Sequence, residues 1–453
     1  MSTSQNWDDF IGREDELLEL TKAWHNVNNG TPQFCVLRAE SGFGKTKIAQ
    51  AFYSQLSLDE KEDPNHYWPN ILLKENNNLL LNPKDGFGES SDLPWLWWGT
   101  RWPDPQIVNS SEASRCGLLN SFVHLEPHQE LLQYRLKEFN RGKEVLGVLL
   151  GMIPIVGEIL DAKELLNIRD DEKAAKRRQE LSPEQRQAET VQLELDVLKE
   201  FFTEIFSQKT ALPVILVLDD AQWVDSNSLK FINTLFTKAI EQKWPLMIIA
   251  THWEREWNEL EKAKHSVASL FNQIKLQNNN SASMHDIGPL EGLEKILKYA
   301  FPNLLPEQYA FLCSRAEGNP RLMHEIILEM QGDYDQYFED EDVNKKLTND
   351  GFEDIKQLSF QLDDVQKRRF RKLAPQLKKA LSYASIQGLN VFKELAVDVS
   401  NAMQLESTSF DAAIHPYAIL AEISNCLYEF KSGIFHRLAK NRLKTPDKVI
   451  AIL

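Results

Sequence analysis

Residues 39–46 read Ala39-Glu40-Ser41-Gly42-Phe43-Gly44-Lys45-Thr46. A short apolar run, Phe34 to Leu37, precedes them, and Ile48, Ala49, Ala51 and Phe52 follow at helical spacing. A glycine-rich turn that leaves a buried strand and opens a helix on Lys-Thr is the strongest constraint in this chain. Such a turn aims backbone N–H groups into a concavity at a helix N-terminus, and glycine lets the backbone approach an anion closely. Lys45 supplies positive charge for the β- and γ-phosphates of a nucleotide, and the Thr46 hydroxyl suits Mg²⁺. Glu40, Ser41, Gly42, Phe43, Gly44 and Lys47 are the further loop residues expected around the phosphates. The usual pattern begins with glycine, where this chain has Ala39.

Two more apolar runs belong to the same architecture. Pro213 to Leu218 ends in Asp219-Asp220, and Leu246 to Ala250 is followed by Thr251-His252. Continuous apolar strands that alternate with helical segments predict a parallel sheet covered on both faces. An acidic residue at the C-terminal tip of a strand beside a phosphate loop is placed to hold Mg²⁺, directly or through water, which is the role expected of Asp219. Asp220 is placed to polarise an attacking water.

The chain has 453 residues, more than one ordinary core can use, so about two to four domains are expected. Its 42% hydrophobic and 26% charged content is that of a globular protein, and its net charge of −16 disfavours generic binding to nucleic acid or anionic membrane. The four cysteines, Cys35, Cys116, Cys313 and Cys426, are far apart and form no C-x-x-C pair. That spacing argues against zinc and a disulfide framework and suits a reducing cytosol. Met1 to Asp9 is polar and acidic, so no signal peptide is expected and the localisation is read as cytoplasmic.

Between residues 61 and 190 the chain reads as an insertion into the core segments 1–60 and 191–288. It carries Trp95, Trp97, Trp98 and Trp102, expected to fill a small satellite core. It also carries the apolar segment Val145 to Leu160, broken by Pro154 and containing Glu158. A spanning helix wants about 20 apolar residues. The segment is therefore a buried hairpin or helix pair, or else an interfacial membrane element. From about Leu290 the pattern turns all-helical. Residues 289–345 are expected as a helical lid and 346–453 as a winged-helix-like domain, with Tyr428-Glu429-Phe430 as one of its β-elements.

With Phe10-Ile11-Gly12-Arg13-Glu14, these motifs resemble the ATPase core of the signal-transduction ATPases with numerous domains, the STAND class of AAA+-related P-loop proteins. The maltose-regulator and adenylate-cyclase-associated branch is the nearest. L-D-D-A-Q-W (Leu218 to Trp223), Glu317-Gly318-Asn319-Pro320-Arg321 and, more weakly, Tyr428-Glu429-Phe430 with Phe435-His436 carry the rest of the likeness. The insertion lies outside it. The resemblance implies an α/β fold, ATP or ADP with Mg²⁺ as ligands, and slow ATP hydrolysis. It places Ile11 and Gly12 beside the adenine, Arg13 near the nucleotide, Pro320 on the base and His436 on the β-phosphate of ADP. It further implies a homo-oligomer in the ATP state and a separate effector or sensor protein, unless the 145–160 segment serves as output or membrane contact. Bacterial signalling or antiviral defence is the setting it suggests. After the third strand the family commonly has a polar or arginine sensor, which Thr251 or Arg255 would supply.

A second reading comes from another class, a DNA-acting AAA+ ATPase with a winged helix, similar to origin-recognition or transposition ATPases. Lys367-Arg368-Arg369-Phe370-Arg371-Lys372 would be its phosphate contact; otherwise that run is a solvated helix face.

Overall fold

The computed structural model describes residues 12–59, 95–102, 211–260, 266–332, 334–342, 345–405, 409–414, 417–424, 426–444 and 446–450, with 199, 202, 203 and 206. Ile11 and the 145–160 segment lie outside them.

The chain enters through α1 (Glu14–Asn28), whose first turn is acidic, and passes to β1 (Gln33–Arg38). The phosphate-loop sequence then leads into α2 (Lys45–Asp59). β2 (Leu96–Arg101), β3 (Val214–Asp219), α3 (Ser226–Gln242), β4 (Leu246–His252), α4 (Glu254–Leu260), α5 (Val267–Gln277) and β5 (Ala282–Asp286) complete the core. The strands form one parallel sheet in the order β2-β3-β4-β1-β5. This is an α/β P-loop NTPase core, and its strand order sets β1, which feeds the loop, directly beside β4.

Alternation explains the continuous apolar runs. Phe34, Val36, Leu216, Leu218 and Ile248 face the layer that holds α3 and α5. Cys35, Leu37, Ile215, Val217 and Ile249 face the layer that holds α1 and α2. Each strand is apolar on both sides because both faces are covered. The tryptophans correct the expectation of a satellite core. Trp97 and Trp98 lie on β2, one in each of these two clusters, so they close the edge of the main sheet. Trp98 stacks on Phe202, and Tyr53 meets Trp95 and Trp97 edge to face.

The helical unit contains α6 (Leu293–Ala300), α7 (Pro306–Ala316), α8 (Pro320–Gly332) and α9 (Asn349–Lys356). Its hydrophobic cluster continues past the expected boundary at residue 345, through Ile355 to Val365. Val365 belongs to α10 (Leu362–Lys372), whose Phe370 sits in the next cluster. The C-terminal unit has α11 (Pro375–Ala384), β6 (Asn390–Phe392), α12 (Lys393–Ala402), β7 (Leu420–Ser424), β8 (Leu427–Phe430), α13 (Gly433–Lys440) and α14 (Pro446–Ile450). Its strands form an antiparallel sheet in the order β6-β8-β7. Helices followed by a β-hairpin on a small sheet are the layout expected of a winged-helix-like unit. Among the described residues no helix is long and apolar enough to cross a membrane.

Candidate functional site

The loop between β1 and α2 takes the geometry that its glycines allow. Gly42 and Gly44 have φ of 93° and 87°, the left-handed region that side chains rarely adopt. A Cβ at Gly44 would meet nothing within 4 Å, so the turn faces open space there. Lys45 opens α2 with only 6% of its surface exposed. Its Nζ donates to the carbonyls of Ala39 at 2.8 Å and Glu40 at 2.9 Å. Burial pushes this amine down to about 8, against the pull of Asp220, Asp219 and Glu40. The neighbouring Lys47 amine is also enclosed, and burial pushes it to about 8.

Asp219 ends β3 and is buried. Oδ1 accepts the hydroxyls of Thr46 at 2.8 Å and Thr251 at 2.7 Å. Oδ2 accepts Nε of Arg101 at 2.7 Å. The parallel register makes this possible, since Arg101 on β2 is the Cα partner of Asp219 on β3. Thr251 also accepts the backbone N–H of Asp220 at 2.9 Å, so the tip of β4 holds the tip of β3 in place. Of the two sensor candidates, Thr251 is therefore joined to this cluster. The Arg255 backbone N–H reaches Glu40 Oε1 at 3.1 Å, while its guanidinium pairs with Glu259 at 3.6 Å.

Asp220 stands in a left-handed conformation at φ 53°. Burial raises its carboxyl to about 6, with Asp219 adding to the rise and Arg101 opposing it. Gln222 donates to Asp220 Oδ1 at 3.2 Å and accepts the Trp253 N–H at 3.3 Å. A carboxyl near 6 beside a carboxylate is the pairing that suits a proton acceptor next to a metal ligand.

Those donor sets fit the groups that the motif implies. Thr46 and Asp219 offer hard oxygen atoms in mutual contact, which suits Mg²⁺ shared with phosphate oxygens. Among the described residues no group of three or more His, Cys, Asp or Glu side chains is arranged as a metal site, so such a cation would need the phosphates as further ligands. Lys45 is a buried cation whose hydrogen bonds go to two backbone carbonyls.

The lid reaches the loop directly. Asn319 Nδ2 donates to the Ser41 carbonyl at 3.1 Å, and the Arg321 N–H donates to the Gly42 carbonyl at 3.2 Å. Pro320, between them, is the first residue of α8. A Cβ on Gly42 would lie 2.5 Å from Asn319 Oδ1, so only glycine admits this contact. Gly318, at φ 73°, fits against Pro289, and its carbonyl accepts Leu290 N–H at 2.8 Å. At the entry, a Cβ on Gly12 would meet Leu290 Cδ1 at 2.9 Å. Arg13 Nη2 donates to the Gly288 carbonyl at 2.7 Å and the Phe43 carbonyl at 3.3 Å. Gly12, Arg13, the loop and the lid hinge thus converge.

His436 is buried, with Nε2 2.9 Å from the Ser385 carbonyl and its ring 5.4 Å from that of Phe430. These contacts all belong to the C-terminal unit.

The basic run on α10 also differs from the sequence reading. Arg369 is 2% exposed and pairs with Glu325 of α8 at 2.7 Å. Arg368 forms a two-pronged pair with Glu329, at 2.8 and 2.7 Å, and Lys372 approaches Glu329 at 3.6 Å. Gln366 donates to Glu325 at 2.8 Å and accepts Ser432 Oγ at 2.9 Å. Arg368, Arg369 and Lys372 thus turn to the acidic residues of α8, whereas Arg371 is exposed and Lys367 pairs with Asp364 of its own helix at 3.5 Å.

Gln222 and Asn319 stand in the motifs above without a role of their own there, and Arg101 escaped the sequence reading altogether. Arg101 ends a strand whose partner ends in Asp219, a signal that becomes visible only once β2 is recognised.

Strand order, loop and Asp219 together define an α/β P-loop NTPase core, followed by a helical unit. No protein-family model matches the chain, and no curated protein matches it by sequence. Among solved structures it is similar to the STAND protein with a tetratricopeptide repeat sensor from Pyrococcus horikoshii, at 11% identity and a TM-score of 0.46, with 99% of this chain and 45% of that one covered. It is similar to Cdc6p from Pyrobaculum aerophilum at 12% identity and a TM-score of 0.37, covering 98% of each chain. A third likeness is to Drosophila ORC bound to DNA, at 8% identity and a TM-score of 0.39, covering 96% of this chain and 87% of that one. The chain spans less than half the length of the Pyrococcus protein. At TM-scores below 0.5 the class rests on the chain's own geometry.

Proposed function

We infer that the protein is an ATP-binding, slowly hydrolysing switch of the STAND type, in which the nucleotide controls oligomerisation or signalling to a partner. The observation that carries this reading is the pair of hydrogen bonds from Asn319 and Arg321 to the carbonyls of Ser41 and Gly42. They tie the lid to the backbone that would wrap the phosphates. A ligand shifts an equilibrium only by binding one arrangement better than another, and a lid bonded to the phosphate loop gives it that leverage.

The geometry supports the following roles. Lys45 exchanges its two carbonyl partners for phosphate oxygens. Thr46 and Asp219 would hold a magnesium ion, which would supply charge neutralisation for the phosphates. Asp220 takes the proton of the attacking water at its carboxylate, with Gln222 fixing the orientation. Thr251 keeps Asp219 and Asp220 in register. Gly12, Arg13 and Pro320 frame the base side of the site. His436, held within the C-terminal unit, is given no part in this arrangement. The DNA-acting alternative loses support, because Arg368, Arg369 and Lys372 are engaged with Glu325 and Glu329.

The decisive experiment is the size and nucleotide content of the purified full chain, with and without ATP and Mg²⁺, alongside Asp220→Asn. Bound ADP and a size increase on adding ATP are expected. Asp220→Asn should still bind ATP but hydrolyse it on the order of a hundredfold more slowly. A constant monomer, or equal turnover in the variant, would contradict the switch or the base respectively.

A further inference from the structure

The two oxygens of Asp219 have different partners. Oδ1 accepts two neutral hydroxyls, Thr46 at 2.8 Å and Thr251 at 2.7 Å. Oδ2, at the other end of the carboxylate, accepts Nε of Arg101 at 2.7 Å in a charge-assisted bond. The last torsion of an aspartate has a broad, nearly two-fold profile, so the side chain alone does not choose which oxygen faces Thr46. Its partners do. Arg101 is itself well supported. It ends β2 opposite Asp219 in the parallel register, so both side chains leave the same face of the sheet. The next residue, Trp102, is buried. Its indole N–H donates to Asp225 Oδ2 at 3.0 Å, and its backbone N–H reaches the Asp219 carbonyl at 3.4 Å. Asp225 in turn caps α3, accepting the N–H groups of Asn227 and Ser228 at 3.0 and 2.8 Å. The guanidinium thus stands on a frame fixed to β3 and to the start of α3. With its side chain 37% exposed against 2% for Asp219, it reaches from the rim to a buried carboxylate.

We propose that Arg101 is a positioning residue for the metal: with Thr251 it clamps Asp219 by its two oxygens and keeps Oδ1 on Thr46, the side where a divalent cation would be shared with phosphate. Arg101 and Thr46 use different oxygens, so the clamp can stay in place when the cation enters. Groups that hydrogen-bond a metal-binding carboxylate fix its direction, and losing one typically costs roughly 10–100-fold in metal affinity or activity. Arginine suits the task because its donors form a rigid planar fork, which a lysine ammonium lacks. The inference rests on the nucleotide reading above and concerns the metal of the same site.

The test measures ADP affinity of the full chain without Mg²⁺, then titrates Mg²⁺ by calorimetry into the ADP-loaded chain. Arg101→Met should leave the Mg²⁺-free ADP affinity within about threefold, because Lys45 and the loop are untouched, and should weaken Mg²⁺ binding about tenfold. Arg101→Lys keeps the charge but not the planar Nε donor, and should weaken Mg²⁺ about threefold. Thr251→Val should weaken it too. Combining Thr251→Val with Arg101→Met should cost less than the product of the two single losses, since a carboxylate already released by one partner has less to lose from the other. Unchanged or tighter Mg²⁺ binding in Arg101→Met overturns the proposal, because a cation acting only by its charge would repel the metal and its removal would help. A strictly multiplicative double variant counts against the clamp in the same way. So does an equal loss of ADP affinity without Mg²⁺, which would mark Arg101 as a general support of the fold. If Arg101→Met does not fold, Arg101→Lys decides, and natural Mg²⁺ affinity there refutes the proposal. If the natural chain binds no ADP, the nucleotide reading fails; the same order of affinities is then sought with Mn²⁺ alone, and equal Mn²⁺ affinities overturn the clamp.

Discussion

Lys45 and Arg369 are both buried cations, yet the molecule treats them in opposite ways. Lys45 rests on two backbone carbonyls, whose partial charges hold the ammonium group without cancelling it. Arg369 faces the Glu325 carboxylate at 2.7 Å, in a network that Gln366 and Ser432 complete. Burial lowers the pKa of both groups, but only Arg369 has a full counter-charge in contact. The difference separates a charge that an external anion could still use from one spent on holding two units together. Burial and residue type alone do not make that distinction; the partner does.

Four experiments bear on the comparison. The largest effect should come from Arg369→Leu, which strands the Glu325 carboxylate inside the protein. Breaking a buried pair from one side costs about 3–5 kcal/mol, to be read as a fall in denaturation midpoint. Adding Glu325→Leu should recover much of the loss; no recovery would mean that the pair is not the unit of stability. Next, Lys45→Ala should weaken ATP binding on the order of a hundredfold while the protein stays folded, because the phosphates lose a charge-assisted contact. Unchanged affinity would remove Lys45 from the site and the contrast with it.

Asn319→Ala should cost about 1 kcal/mol, because it deletes both the donor to Ser41 and the acceptor that caps Leu322. Faster proteolysis between lid and core would register it. The smallest effect is a proton. The Lys45 amine sits at about 8 through burial, and phosphates brought against it raise it again. Nucleotide binding near pH 8 to 9 should therefore take up a fraction of a proton, and near pH 6 this lysine should contribute none. Calorimetry in buffers of different ionisation enthalpy measures this. Proton release near pH 8 would reverse the sign and the argument.

Much of the core was legible because its signals are local. The loop, its flanking strand and helix, and Asp219-Asp220 at a strand tip each fit within a dozen residues. β1, β3 and β4 appeared where apolar runs stood, with ends within about two residues of those expected. β2 did not, since Trp97-Trp98-Gly99 reads as an aromatic patch and its pairing partner is remote. Arg101 and Asp219 are 118 positions apart in sequence, and no periodicity links them. The basic run on α10 misled for a related reason. Its spacing describes a helix face but not what stands opposite, and Glu325 and Glu329 arrive from α8. The packing of α13 on the end of α11 sets the Ser385 carbonyl beside the His436 ring, a neighbour that no local motif shows.

The helix α10 carries Val365 in the core of the lid and Phe370 in that of the C-terminal unit. A rod embedded in two bodies is a lever rather than a linker. Eleven residues of α-helix are about 16 Å long, so tilting one end by about 10° displaces the other by about 3 Å. A motion begun where Asn319 meets the phosphate loop would thus reach the far unit at molecular scale, with no break in the helix α10 to absorb it.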